Sequence, residues 1–156
     1  MGSITVKGLD KLNEYLNKMK TYMKTGIKST FDKIGLMNTQ ETKHRFETKT
    51  DPDGNKWLPL IAADYKAWKA KETGSDDDNV LVLTGNLRDS IQFYSTNKIV
   101  SVGTNVEYAR IHEEGLSSYC EPIHRTLKVP KRQFLGFADV ESERYIKLFI
   151  DDIEAL

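Results

Sequence analysis

The stretch "SIQFYSTNKIVSVGTNVEYARIHEEG", residues 90–115, changes its hydrophobic period partway along. Ile91 and Phe93 alternate with polar neighbours, and Ile99 to Val102 is short and β-branched. Alternation of this kind marks strands with one buried face, and "TNK" at 96–98 is a hairpin-length connection. Val106, Ala109, Arg110 and Glu113 then recur at helical spacing, and Gly115 stands where a helix stops on a left-handed residue. Strands followed directly by a helix predict an α+β fold. The same stretch poses a chemical question. His112 followed by Glu113 and Glu114 reads either as the opening of a metal or acid–base site, or as one turn of an ordinary helix.

Helices are predicted on both sides of this segment. Leu9, Leu12, Leu16, Met19 and Met23 fall at spacings of 3, 4, 3 and 4, a single apolar stripe suited to core or subunit contact. Gly26 punctuates it, and Ile27, Phe31 and Ile34 restart the stripe. The polar run "NTQETKHRFETKT" (38–50) predicts that the second helix continues toward residue 48 with mostly solvated faces. In "TDPDGNKWLPL" (50–60), Pro52, Asp53, Gly54 and Asn55 predict a turn with Trp57 packed behind it. "IAADYKAWKAKE" (61–72) reads as a third helix, "TGSDDDN" (73–79) as a polar loop, and Trp57 and Trp68 as core. "VLVLTGNLRDS" (80–90) is an apolar run and a short helical turn that Thr84 or Asn86 caps. "YCEPIHRTLKVP" (119–130) allows one or two more strands. A closing helix carries Ile146, Phe149, Ile150, Ile153 and Leu156 on one face, with Glu141 and Glu143 near its positive end.

The predicted order is N-terminal helices, a small antiparallel β-meander with an inserted helix, and a C-terminal helix. One domain over 1–156 accommodates it: a helical arm (1–48), a core (52–137) and the last helix (138–156). The composition is 38% hydrophobic and 29% charged, an ordinary balance for a packed domain. Lys plus Arg and Asp plus Glu are equal at 23 each, so no excess charge draws the chain to nucleic acid or an anionic membrane. The single cysteine, Cys120, excludes an intramolecular disulfide and a cysteine-cluster zinc site. "MGSITVKGLDKLNEYL" (1–16) has no apolar leader region, which predicts a protein made and kept in a cytoplasm.

The spacings match none of the common catalytic motifs. A zinc-protease helix needs histidines at i and i+4, and four residues after His112 stands Leu116. Asp51, Asp53 and Asn55 begin like a calcium loop, but Lys56 replaces the required glycine and Ala62 the bidentate glutamate. "GNLRDS" (85–90) lacks the lysine of a phosphate loop, and no nucleophile sits in an elbow motif. Asp151 and Asp152 are adjacent on a helix and diverge by about 100°. The residue-level alternative is a small metal-dependent hydrolase or nuclease that brings His112 and His124 together with nearby carboxylates. A protein-binding adaptor is a third reading.

Four segments fall in a recognisable order: "PDGNKWLPL" (52–60), "LVLTGNLRDSI" (81–91), "VSVGTNVEYARIHEEG" (100–115) and "VPKRQFLGF" (129–137). Together this run resembles the phage virion morphogenesis family, the tail-completion proteins of Mu-like phages. The family pattern has a P-D-G-x-x-W-x-P-L turn, an L-x-x-(T/S)-G-x-L-R-x-S-I segment, a V-G-(T/S)-x-x-x-Y-A-x-x-H-x-x-G segment and a P-x-R-x-F-L-G segment. Gln133 stands where the family usually has proline, and residues 116–128 lie outside the matching segments.

The resemblance implies a structural protein, not an enzyme, with no cofactor and no metal. It would complete the tail and allow head–tail joining, with itself in a ring-like homo-oligomer, the tail tube and head-connector proteins as partners, and no strong nucleic-acid or membrane binding. It would be found in the host cytoplasm during assembly and then in the virion. Trp57, Tyr108, His112, Gly115, Pro130, Arg132, Phe134, Leu135 and Gly136 are the motif residues and candidate interface; Phe134, Leu135 and Phe137 read either as an apolar patch with Arg132 at its rim or simply as core.

Overall fold

The computed structural model describes residues 9–74 and 80–156, so most of the loop predicted over 73–79 lies outside the described residues. Helix α1 (Leu9–Thr21), a π turn (Tyr22–Gly26) and α2 (Ile27–Thr48) run on without interruption. Gly26 does not punctuate them as the sequence suggested. Its backbone, like that of Thr21 and Ile27, is right-handed helical. The rod from Leu9 to Thr48 therefore extends about 60 Å at 1.5 Å per residue. Its end is a left-handed Lys49, after which Asp51 closes the predicted turn. The Asp51 carbonyl accepts from Gly54 N–H (3.0 Å), and its carboxylate accepts from Asn55 N–H (2.8 Å).

Helix α3 (Ala63–Thr73) and the short α4 (Asn86–Asp89) precede β1 (Gln92–Ser95) and β2 (Val100–Gly103). Gly85 occupies the position before α4, and the Thr84 hydroxyl accepts from Asn86 N–H at 3.4 Å. β1 and β2 form the predicted antiparallel hairpin, with Phe93 opposite Val102. Helix α5 (Ala109–Glu114) follows, then β3 (Ser117–Cys120) and β4 (Arg125–Lys128), joined by a 3₁₀ turn at Glu121–Ile123. The antiparallel strands and the helix among them divide into two separate two-stranded sheets, one on each side of α5. Helix α6 (Asp139–Glu154) closes an α+β architecture.

Phe46, Trp57, Val80, Leu87, Ile91, Ala109 and Phe134 form the core. Phe46 sits at its centre, edge-on to Trp57 at 5.6 Å and tilted against Phe134 at 5.4 Å, geometries that aromatic pairs favour. Trp68 is only half-buried, its ring 5.5 Å from that of Tyr65, and so is not a core residue. Hairpin β1–β2 lies directly on α2. A Cβ at Gly35 would come within 2.4 Å of the Phe93 ring, so only glycine permits this approach.

Two helical faces depart from their hydrophobic pattern. The second half of α2 is not mostly solvated: Asn38, Thr39, Thr42, Arg45 and Phe46 are buried, with Asn38, Arg45 and Phe46 meeting α6 or the loop before it. On α6 the inward face carries Glu141 and Tyr145, with Phe149 and Asp152 partly covered, while Ile146 and Ile150 are exposed. The buried Arg45 explains the rotation. Its guanidinium donates to Glu141 Oε1 at 2.6 Å, and a carboxylate turned inward at 141 brings 145, 149 and 152 onto the same face. Glu141 also caps α6 by accepting from Ala138 N–H at 3.1 Å. The tip of this interface is the Phe31–Phe149 pair, 5.4 Å apart and nearly perpendicular.

Candidate functional site

Three of the four motif segments meet at one place. Helix α5 presents the His112 carbonyl to Arg132 N–H at 2.7 Å, so the chain leaving Pro130 is stitched to the helix. The Arg132 guanidinium passes beneath this junction and donates to the Leu58 and Pro59 carbonyls, both at 2.8 Å. Trp57 Nε1–H returns a bond to the Gln133 carbonyl at 2.9 Å. Glu113 accepts from the backbone N–H groups of Phe134 (2.9 Å) and Leu135 (3.3 Å) through one oxygen. From the other side, Arg45 donates to the Phe134 and Gly136 carbonyls, each at 3.0 Å. Most of the polar backbone atoms of 132–136 thus have a partner from a side chain or from the backbone of α5. That satisfaction is what allows this irregular segment to be buried.

Gly115 makes the junction possible. It ends α5 at φ +76, and an added Cβ would lie 2.7 Å from Lys131 N. Both the left-handed backbone and the close approach demand glycine. Gly136 likewise holds a positive φ of 134°, beside Pro52. The fourth segment attaches at the edge, where Asn86 Nδ2 donates to the Tyr108 hydroxyl at 3.2 Å.

His112 is tucked behind Tyr108, which meets it edge-on at 6.3 Å between ring centres. Burial, and secondarily the Arg132 charge, push its pKa down from 6.5 to about 4. The imidazole is therefore neutral near pH 7. Burial also holds the Arg132 pKa below the usual arginine value. His124 lies in a left-handed turn on the exposed 3₁₀ connection. Among the described residues, no three His, Cys, Asp or Glu side chains are grouped so as to hold a metal ion. The hydrolase reading, which required His112, His124 and carboxylates to converge, gains nothing from this arrangement.

The structure also revises the patch proposed around residue 134. Phe134 is 0% exposed and belongs to the core, and Arg132 is 3% exposed, a buried brace and not a rim residue. Leu135 is half-buried, and Phe137 is the exposed member. The sequence alone does not show that Arg45 and Glu141 pair, or that Glu113 braces the 134–135 backbone. The available signal was a charge next to an aromatic inside a polar helix, "RF" at 45–46, with a carboxylate in the first turn of α6.

Beside the clasp lies a cleft of about 670 Å³. Its walls come from the 60–63 segment, Tyr65, the apolar run 81–83, α5 and β3–β4, and include Pro130 and Cys120. Ile61, Leu83, Tyr108 and Tyr119 stand exposed along its mouth. No described helix is long and apolar enough to cross a membrane.

No curated protein and no solved structure matches this sequence. The sequence pattern of the phage virion morphogenesis family does, over residues 8–154, which takes in the arm, the clasp and α6 together. With nearly the whole chain matched, the protein belongs to the phage virion morphogenesis family.

Proposed function

We propose that this protein completes the phage tail and permits its joining to the head, acting as a homo-oligomeric ring between the tail tube and the head-connector proteins. It works by surface contact and not by catalysis. It assembles in the host cytoplasm and ends in the virion. Family membership supports a role in building the particle. The observation that carries the finer reading is the amount of apolar surface left outside a fully braced core. Leu9, Leu12 and Leu16 on α1, Met23 in the π turn that continues it, and Ile61, Leu83 and Tyr119 at the cleft, are all exposed. Exposed apolar side chains grouped on one face mark contact sites. A closed ring needs two different patches on each subunit, and the arm and the cleft are two such patches.

Negative-stain electron microscopy of a lysate from the parent phage or prophage with this gene deleted is the test. Filled heads beside separate, misfinished tails are expected. Normal, infectious particles would remove the tail-completion role.

A further inference from the structure

We infer that α1 of one subunit docks its apolar stripe into the cleft beside the His112–Arg132 clasp of a second copy, head to tail. The inference rests on the ring reading above and supplies its donor and acceptor. No residue of α1 is buried, and its main packing partner is the π turn that continues it. Leu9, Leu12, Leu16 and Met23 are between 51% and 62% exposed. Anchors at i, i+3 and i+7 are the way an amphipathic helix enters an apolar groove. The cleft, with Leu60, Ile61, Tyr65, Leu83, Leu127 and Val129 on its walls, is the matching receptor.

The occupant has to be another copy. The cleft lies at the Phe46 end of the rod, and the middle of α1 is about 45 Å away along the helix at 1.5 Å per residue. With backbone helical through Gly26, α1 cannot fold back to reach its own cleft. Area argues that each subunit uses both patches. One side of a 13-residue helix, about 20 Å long and about 12 Å across, covers roughly 400 Å². That is half of the about 800 Å² per partner found in stable complexes. A subunit that gives its helix and also receives one in its cleft buries about that area in total. Given to one neighbour and received from the other, the two unlike patches make a head-to-tail contact of the kind that closes rings.

The cleft wall contains the chain's only cysteine, Cys120, which makes the contact testable by crosslinking. Concentrated Leu12→Cys protein is treated with a short bismaleimide and run on a denaturing gel. Coupling of residue 12 to Cys120 of the next copy links subunits serially, so a ladder of trimers and larger species is expected. The ladder should collapse to dimers at most in Leu12→Cys/Cys120→Ser. Dimers alone in Leu12→Cys would overturn the inference, whether they persist in the double variant (α1 pairing with α1) or vanish from it (a reciprocal pair), as would the absence of any crosslink. Because this is read on purified protein and the tail role in lysates, the two can fail separately. A ladder with a normal deletion lysate removes the tail role, and misfinished tails without a ladder remove the docking mode.

Discussion

The two ends of the long helical rod invert the usual rule. At the C-terminal end, charged and polar side chains are buried: Arg45, Asn38 and Thr42 on α2, Glu141 on α6 and Arg132 in the clasp. At the N-terminal end the apolar stripe of Leu9, Leu12 and Leu16 faces solvent. In the first region the buried charges of Arg45, Glu141 and Arg132 all have hydrogen-bond partners inside the chain. The second offers apolar area with no partner among the described residues. The difference separates what folds this protein from the surface to which the proposal assigns its assembly.

Breaking the buried charge pair should have the largest effect. Glu141→Ala leaves Arg45 buried opposite an empty site and removes the α6 cap, and loss of one partner from such a pair costs about 3–5 kcal/mol. Urea denaturation at neutral pH measures it, and a loss below 1 kcal/mol would mean that Arg45 is satisfied by the 134 and 136 carbonyls alone.

Acid should act on the same region through His112. Its folded pKa, about 4, lies below the ordinary 6.5, so between these values the unfolded chain binds the proton that the folded chain refuses. Stability is then fully present above about pH 6.5 and falls as pH drops toward 4, by up to about 3 kcal/mol over a shift of this size. Denaturation midpoints at pH 7 and pH 5 should diverge for the wild type. They should converge in His112→Leu, and an unchanged slope in that variant would assign the acid sensitivity to other groups.

Gly115→Ala comes next. A left-handed alanine costs about 1–2 kcal/mol, and the contact with Lys131 N adds to it. Thermal unfolding reads the loss, and because the defect is local to the clasp, the helical circular dichroism of the folded variant should be unchanged.

How far the sequence carried the reading follows from the range of each interaction. The 51–55 turn, the 92–103 hairpin and the Gly115 stop are set by residues a few positions apart, and all were legible. The stripe on α1 was equally legible as a stripe, although periodicity cannot name what covers it. The inward faces of α2 and α6 were misread because the decisive contact, Arg45 with Glu141, spans 96 positions. Polarity in a helix normally predicts solvent, and only a distant carboxylate reverses that. Arg132 was placed at a rim for the same reason: the Leu58 and Pro59 carbonyls that receive it carry no side-chain signal.

The smallest effect on folding should come from the other end of the rod. Leu12→Asp/Leu16→Asp removes half-exposed side chains that pack on no core, so monomer stability should change by less than about 0.5 kcal/mol. A large loss would show that α1 packs within the monomer after all.

That same double variant, supplied in place of the wild-type gene and followed by electron microscopy and plaque titre, tests the central claim most directly. The account predicts protein that accumulates folded while filled heads lie beside unjoined tails and titre collapses. Folded variant protein with wild-type titre and intact particles would contradict it, because the apolar arm would then play no part in assembly.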